Sequence, residues 1–462
     1  MNATVYDTGP VEGFAIFLGL LVAGAMLLTV TRRHSGTTQW QIRVFLVAAI
    51  VRFAAGIAIY EFGLVHILKD EDSAGWTVGV ALASEWQQAG LTILELPFRM
   101  VEAFEGHHRG YRYMVGALFF MTGAPVRMVA AALNCFYGAL TCVMAYRIAA
   151  SLFPEVVARR VAWWTCFWPA LIIWSAQTVK EPVVILLECI ALYCCVRLRE
   201  VGTSPKHLTL CLLTTVLLLP FRFYAAFIVL GSVMVGLAMG TLKNVRSAAA
   251  GVVLAVALTP FFLGGTVFLR HEAELQRFDV AYIESFKKGA SQGGAAMGAG
   301  SGVQQNYDLR TRSGMLTSIA VGAVHLALAP FPWQLAGSSS IRMLFTLPEL
   351  VFWWWLFFAG LIPGFRYVIK RRLLDTLPLL IFLVGFGLLY STMFANVGLV
   401  FRQRAQLLPW LLIFASAGLE LTRLQRLHRL NPFQNADPYA AATPLPDEAP
   451  SGEPLPGRVA HA

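Results

Sequence analysis

Three acidic residues in a row, Asp70, Glu71 and Asp72, follow directly after a long apolar segment, residues 45–68. Carboxylates this close repel one another when ionised, so at least one is expected to keep a proton unless a cation or an arginine lies near. Such a group can serve as a general base or as a metal ligand. A solvated helix end is the alternative interpretation. Because the run opens a long polar loop, we favour a functional site that faces water.

Several basic residues lie where one apolar segment ends and the next begins. Lys180 and Glu181 stand at one such junction, and the others are Arg222, Arg402 and Arg404. The planar guanidinium group suits phosphate and pyrophosphate oxygens, and its charge stabilises a departing phosphate. A plain interfacial ion pair would explain Lys180 and Glu181 equally well, and headgroup snorkelling would explain each arginine.

Two further places carry polar side chains that need an explanation. His107, His108 and Arg109 could donate hydrogen bonds to a sugar or a phosphate, although a solvent-exposed loop accounts for them as well. Arg52 lies inside an apolar segment and must either find a partner or snorkel to the interface. The sequence does not show which of the two it does.

The composition identifies the elements that must position these residues. The chain has 462 residues, of which 57% are hydrophobic and 13% charged. Its mean hydropathy is +0.63. Soluble domains are roughly one-quarter charged, so the chain is an integral membrane protein. Since backbone groups in lipid must bond internally and the apolar runs are about 17 to 25 residues long, the predicted fold class is all-α, with membrane-spanning helices.

The net charge of +10 does not indicate nucleic-acid binding, because lysines and arginines cluster in short loops rather than in one basic domain. The seven cysteines lie in apolar stretches without metal-ligand spacing and are interpreted as small buried residues. The N-terminus lacks a basic region, so the first apolar run is predicted to be a retained span.

About eleven spans are predicted, and alternating them by the positive-inside rule places the N-terminus outside and the C-terminus inside. They lie at residues 11–30, 45–68, 126–152, 161–176, 182–196, 208–220, 223–242, 248–269, 345–365, 377–394 and 405–421. This topology predicts one transmembrane catalytic domain, residues 1–430, and a disordered cytoplasmic tail, residues 431–462.

The same topology leaves two long external stretches, residues 69–112 and 270–313. Residues 76–104 alternate apolar and polar positions in a way that predicts an amphipathic helix on the membrane surface, interrupted near Gly90 and Pro97. Residues 314–333 are long enough to span. A span there would invert the charge pattern of everything downstream, so a re-entrant or interfacial helix is predicted. The glycine-rich residues 289–302 are expected to be disordered or to order on substrate.

Short motifs in this order resemble those of GT-C-fold glycosyltransferases that use polyprenyl-phosphate-linked sugars, the superfamily of the protein mannosyltransferases and aminoarabinose transferases. Asp72 in Glu71-Asp72-Ser73-Ala74-Gly75-Trp76 resembles the first-loop motif of that family. The segment from Asn396 to Arg404 is similar to its last external loop. The residues between them that follow the family's usual order are Gly110, Tyr111, Gly123, Asn134, Gly138, Tyr146, Arg147, Pro169, Trp174, Lys180 and Glu181.

The resemblance implies a transferase that passes a sugar from an undecaprenyl- or dolichyl-phosphate donor to a glycan, lipid or protein acceptor. It implies an inverting displacement on the extracytoplasmic face of a bacterial plasma membrane. Asp72 would be the general base, with Asp70 and Glu71 positioning it or a divalent cation, Mg²⁺ or Mn²⁺. The residues expected to hold the phosphate are Lys180, Arg222, Arg402 and Arg404.

Two other functions stay open at this point. An O-antigen-type polymerase or ligase, which joins glycans carried on lipid pyrophosphate, would depend on residues 270–313 rather than on the acidic run. A lipid or solute transporter would show broken helices and ionisable residues near the bilayer midplane, and the sequence shows little of either.

Overall fold

The computed structural model describes residues 9–31, 35–64, 73–105, 109–240, 246–262, 279–296, 307–336 and 347–430. Every secondary-structure element in these ranges is a helix. In chain order they are α1 (Pro10–Val30), α2 (Ser35–Glu61), α3 (Ser73–Gln88), α4 (Leu96–Val101), α5 (Arg109–Thr122), α6 (Arg127–Leu152), α7 (Glu155–Phe167), α8 (Pro169–Ser175), α9 (Glu181–Val201), α10 (Pro205–Phe221), α11 (Phe223–Gly240), α12 (Arg246–Phe262), α13 (Val280–Ala296), α14 (Arg312–Leu328), α15 (Pro332–Ala336), α16 (Leu347–Arg371), α17 (Leu373–Thr392) and α18 (Val397–Leu430).

Seven of the described helices are long and apolar enough to cross a membrane, namely α1, α2, α6, α11, α16, α17 and α18. The pair α7 and α8, bent by 55° at its break, makes eight if it counts as one span. Three apolar helices, α10, α12 and α14, are shorter, at 17 residues each. The all-α class is confirmed, whereas the count of eleven spans is not.

Helix α6 is the centre of the bundle and packs against α1, α2, α7 and α9. Its core positions include small residues such as Ala131, Ala139 and Gly138. A Cβ atom at Gly138 would lie 2.7 Å from Ser175 Cβ and 2.8 Å from Arg52 Nε. Small residues permit this close approach, which is how helices associate in a membrane.

Helices α16 and α18 approach each other even more closely. The middle of α16 is a π-helical turn, Phe357–Leu361, which contains Gly360. A Cβ atom at Gly418 would lie 2.0 Å from Gly360 O, and one at Gly364 would lie 2.0 Å from Phe414 O. No side chain fits at these glycines without moving the backbone.

At one end of the bundle, which we call the basic end, helix termini that the positive-inside rule assigns to the cytoplasmic side contact one another. Arg372 donates to Leu152 O at 2.8 Å, and Arg199 donates to Asp375 O at 2.9 Å. Arg160 pairs with Glu420 at 2.8 Å. The opposite end, where Lys180, Arg222 and Arg402 lie, is called the Arg402 end below.

The amphipathic segment predicted for residues 76–104 forms α3 and α4. Helix α3 ends before Gly90, whose φ of 66° lies in the left-handed region, and Pro97 lies in the first turn of α4. Trp76 stacks edge-on against Phe119 of α5, and Trp86 packs against Tyr113. Helix α5 was not predicted from the sequence, where a solvent-exposed loop was one of two interpretations of Arg109 at its start.

Helix α14 covers most of the ambiguous residues 314–333 and is held by a Thr311 cap that accepts from Gly314 N at 3.1 Å. It packs along α17. Residues 289–296, expected to be disordered or to order on substrate, belong to helix α13, whereas 297–302 lie outside the described residues. The predicted tail, 431–462, also lies outside them.

Candidate functional site

Glu181 at the first turn of α9 is the centre of a buried polar cluster at the Arg402 end. Its side chain is 1% exposed. Arg402 Nε donates to Oε1 and Arg402 Nη2 donates to Oε2, both at 2.9 Å. Arg222 Nη2 also donates to Oε1, at 2.8 Å. One carboxylate therefore binds two guanidinium groups that come from distant parts of the chain.

Local sequence explains how each of these residues reaches the cluster. Pro182, in the first turn of α9, favours starting a helix just after Lys180. Arg222 has extended backbone angles, φ −156° and ψ 87°, in the break between α10 and α11, and Pro220 lies two residues before it. Arg402 is in the second turn of α18. Helix ends and breaks thus bring the charges together.

A second layer of polar side chains continues from Arg222 into the bundle. Arg222 Nη1 donates to Gln406 Oε1 and to the Tyr390 hydroxyl, the latter at 3.2 Å. Tyr390 donates to Gln406 Oε1 as well. Because arginine can only donate, the Gln406 carbonyl must face Arg222 and its amide nitrogen faces Glu188.

Glu188 lies at the deep end of this chain of contacts. It accepts from Gln406 Nε2 through Oε1, and in the part of the chain that the structure describes its Oε2 has no hydrogen-bond partner. Seven residues separate it from Glu181 along α9, which is about 10 Å of helix. We name the set Glu181, Arg222, Arg402, Tyr390, Gln406 and Glu188 the Glu181 cluster.

The two guanidinium groups exceed the single charge of Glu181, so this trio has an excess of positive charge. The side chain of Arg402 is 24% exposed, against 9% for Arg222. Arg402 also lies over the Trp174 ring, with 5.4 Å from Cζ to the ring centroid. Arg402 is therefore the guanidinium that an external anion would reach first, with Arg222 behind it.

The loop that leads to Lys180 is held by one buried asparagine of α6. Asn134 Nδ2 donates to Gln177 O at 2.6 Å, to Val179 O at 2.8 Å and to the Tyr111 hydroxyl at 3.0 Å. Thr178 N donates to the Tyr60 hydroxyl at 3.2 Å. These bonds fix the position of Lys180 and Glu181 relative to α6.

Arg52 and Glu349 replace the backbone hydrogen bonds that are lost at the break between α7 and α8. Pro169 has no N–H to give to Thr165 O, and Ala170 N donates to Glu349 Oε2 at 3.0 Å instead of continuing the helix. Arg52 supplies the missing donors, at 2.9 Å to Thr165 O and 3.0 Å to Cys166 O. The partners of Arg52 inside its span therefore include backbone carbonyl oxygens of α7.

Arg404 does not join the Glu181 cluster. Residues two apart on a helix point in nearly opposite directions, at about 200°. Accordingly Arg402 contacts Glu181 and Trp174, whereas Arg404 donates to Ala329 O at 2.7 Å and lies beside the Trp353 ring, 5.4 Å from its centroid. The structure brings together Glu181, Arg222 and Arg402 of the predicted phosphate ligands and leaves Arg404 on the other face of α18.

The acidic run and two of the predicted donors fall outside the described residues: Asp70, Glu71, Asp72, His107 and His108. Arg109 is described, as the exposed first residue of α5. Within the part of the chain that the structure describes, no group of three or more His, Cys, Asp or Glu side chains could hold a metal ion. The prediction of a cation at Asp70 and Asp72 is untested by this observation.

Sequence reasoning missed Tyr390, Gln406 and Glu188. A signal existed for Glu188, which is an acidic residue inside an apolar run and therefore a functional hypothesis by default. No such signal existed for Gln406, because its role depends on the rotation of α18 relative to α9.

Neither a protein-family model nor a curated protein matches this sequence. Among solved structures, the chain is similar to the archaeal oligosaccharyltransferase AglB from Archaeoglobus fulgidus, in complex with an inhibitory peptide and a dolichol-phosphate. The identity is 12% and the TM-score 0.45, with 87% of this chain and 53% of that chain covered. This chain thus spans about half the length of that protein. A likeness at this level is no evidence for function, which must be argued from the site.

Proposed function

We propose that this protein is a membrane glycosyltransferase that takes a sugar from a polyprenyl-phosphate-linked donor and passes it to an acceptor on the extracytoplasmic side. The observation that supports the proposal best is the pair of guanidinium groups of Arg222 and Arg402 on the buried carboxylate of Glu181. A cationic group held at a helix end, where a bundle meets the membrane interface, suits the phosphate of a lipid.

In this proposal Arg402 and the neighbouring Lys180 contact the donor phosphate. Arg222 lies behind Arg402, and Glu181 holds both arginines in place. As the acceptor oxygen bonds to the anomeric carbon, the bond from that carbon to the phosphate oxygen breaks, and the phosphate leaves with an added negative charge. Preorganised cations stabilise that charge without moving during the reaction.

Asp72 is proposed to take the proton of the acceptor hydroxyl, with Asp70 and Glu71 positioning it or a divalent cation. The resemblance of its surrounding motif to the first-loop motif of GT-C enzymes supports this assignment. The acceptor, a glycan, a lipid or a protein, is left open by the described residues.

The test is transfer from a radiolabelled polyprenyl-phosphate sugar by the reconstituted full chain. Asp72→Asn should reduce turnover by at least 10²-fold while donor binding persists, as expected when a general base is lost. Arg402→Gln should instead weaken donor binding. Glu85→Gln, an exposed change on the neighbouring helix α3, is the control and should leave both unchanged. Full turnover of Asp72→Asn would refute the role of the base.

A transporter is a second candidate, because the structure has two features that the sequence analysis did not expect. The helix pair α7–α8 is broken by 55°, and Glu188 is a carboxylate buried inside the helix bundle. Proteoliposomes separate the two functions. Movement of a lipid or solute between leaflets without any covalent change would favour transport, and a labelled product would favour the transferase.

A further inference from the structure

A separate cavity of about 380 Å³ lies on the other side of α18 from the Glu181 cluster. It is formed by α14, α16, α17 and α18. All its lining residues are apolar or aromatic except Ser391 and Arg404. An apolar cavity of about 150 Å³ already holds a benzene molecule, so this one has room for a longer hydrocarbon.

The polar part of the lining is confined to one end of the cavity. Helices α17 and α18 run in opposite directions, so Ser391 and Arg404 lie together near the Arg402 end, and Leu380 and Leu411 lie together deeper in the bundle. From Ser391 to Leu380 is eleven residues of helix, or about 16 Å, which is roughly half of the hydrocarbon thickness of a bilayer. The cavity is therefore about as deep as one leaflet. Like a lipid, it is polar at one end and apolar along the rest of its length.

The cavity borders the outer surface of the bundle. Val384 and Leu388, which line it, are 59% and 53% exposed. Both belong to α17, a helix long and apolar enough to cross the membrane. Exposed apolar side chains on such a helix face lipid, so a hydrocarbon chain can enter the cavity sideways from the bilayer.

Arg404 is a buried cation with an unused donor. Its relative exposure is 2% and one nitrogen donates to Ala329 O, while Nη2 has no hydrogen-bond partner among the described residues. Glu349 is the carboxylate that acts on it electrostatically, but both Glu349 oxygens already accept hydrogen bonds, from Trp168 Nε1 and Ala170 N. A buried guanidinium nitrogen without an acceptor is costly, and an anionic oxygen at that place would remove the cost.

We infer that this cavity binds an acidic phospholipid of the surrounding membrane, with one chain in the cavity and its phosphate at the guanidinium of Arg404. The bilayer supplies such lipids directly to a lateral opening, and a phosphate headgroup carries the anionic oxygen that the guanidinium of Arg404 can bind. The site is distinct from the proposed donor site, since Arg402 and Arg404 project from opposite faces of α18. The inferred phospholipid site does not depend on the proposed transferase function.

The test is a count of lipids that remain bound to the purified full chain in native mass spectrometry, with phosphatidylglycerol and phosphatidylcholine of identical chains as probes. Wild type should retain phosphatidylglycerol with at least tenfold preference. Arg404→Gln should remove the preference. Gly387→Phe should remove binding of both lipids, because a side chain at Gly387 meets no atom within 4 Å and extends into the cavity it lines.

Two matched variants and a third probe complete the experiment. A side chain at Gly231 of α11 also meets no atom within 4 Å, but this residue does not line the cavity, so Gly231→Phe should bind as wild type does. Arg402→Gln should also keep the phospholipid, even where it loses the donor. Equal retention of both lipids by wild type, or unchanged binding in Gly387→Phe, overturns the inference, even when Arg404→Gln fails to fold. It is equally overturned if geranylgeranyl phosphate alone binds in an Arg404-dependent way, because the cavity would then belong to the donor.

Discussion

Arg402 and Glu181 form a two-point ion pair in which Nε and Nη2 of the arginine each contact a different carboxylate oxygen at 2.9 Å. The two residues are 221 positions apart in the sequence. Since Arg222 binds the same carboxylate, three separate parts of the bundle, α9, α18 and the break between α10 and α11, depend on one negative charge. The pair therefore connects these helices at the Arg402 end, in addition to forming the proposed anion site.

Neutralising Glu181 should therefore strongly destabilise the protein. Glu181→Gln removes the carboxylate that pairs with the buried guanidinium of Arg222 and the partly exposed one of Arg402. Removal of one partner of a buried ion pair costs about 3 to 5 kcal/mol. The free energy of unfolding in detergent micelles, measured by denaturant titration, should fall by that amount.

Glu102→Gln provides the control for this prediction. Glu102 pairs with Arg99 at 2.8 Å, but both side chains are well exposed, at 38% and 47%. Exposed pairs contribute little to stability, so the free energy of unfolding should stay close to that of wild type. If Glu102→Gln destabilised the protein as much as Glu181→Gln, the role of burial in the argument would be wrong.

Glu188→Gln should be tolerated much better than Glu181→Gln. Within the described residues Glu188 forms no ion pair, and its only hydrogen bond, from Gln406 Nε2, can also be accepted by an amide oxygen. We expect a loss of less than about 1 kcal/mol in the same titration, since no charge loses a partner. If the two variants lost the same free energy of unfolding, the contacts around Glu188 would stabilise the cluster as much as the ion pairs of Glu181 do, and the prediction would be wrong.

The all-α class and several of the spans could be predicted from the sequence, because lipid requires continuous apolar helices of a minimum length. The predicted segment 11–30 and the observed α1, Pro10–Val30, differ by one residue at the start. The charged residues Glu181, Arg222 and Arg402 were predicted as site candidates because each stands where one apolar segment ends and the next begins.

What hydropathy cannot supply is the rotation of one helix relative to another. The separation of Arg402 from Arg404 and the contact of Gln406 with Glu188 depend on which face of α18 turns toward α9. The helical start of α5 was missed for a different reason. Residues Arg109 and Arg112 make its first turn look like a loop, while Tyr111 and Val115 bury its apolar face only once α3 is packed against it.

Asn134 is predicted to control the order of the loop before Lys180. Asn134→Leu keeps a side chain of similar size but removes the donor to Gln177 O and Val179 O, at about 1 to 3 kcal/mol for each buried carbonyl left unpaired. Hydrogen exchange of the amides of residues 176–180, followed by mass spectrometry, should become at least tenfold faster. Tyr111→Phe removes only the third partner of Asn134 and should change exchange there by less. Wild-type protection in Asn134→Leu would show that other contacts hold the loop.

Arg52→Met should destabilise the broken span. The substitution keeps a long apolar stem but leaves Thr165 O and Cys166 O without the donors that replace Pro169 and Ala170. Two buried unpaired carbonyls cost about 2 to 6 kcal/mol together. Arg52→Lys has one compact ammonium in place of the planar fork, so it should restore only part of the loss. Thermal unfolding of the three proteins in one detergent measures the order, and a fully stable Arg52→Met would contradict the role of Arg52 at the break.

Lys287 of α13 gives the protein a pH-dependent contribution to stability. Burial lowers the pKa of Lys287 to about 8 from its ordinary value of 10.5, and its ammonium donates to Ser318 of α14. Between these two values the unfolded chain binds more protons than the folded one, so the free energy of unfolding rises with pH across that window and is insensitive to this group below it. Relative to Lys287→Met, wild type should therefore gain thermal stability from pH 7 to pH 9.5. Lys288→Met, a change at the exposed neighbour, should show the same gain as wild type, and a parallel pH profile for Lys287→Met would exclude Lys287 as the source.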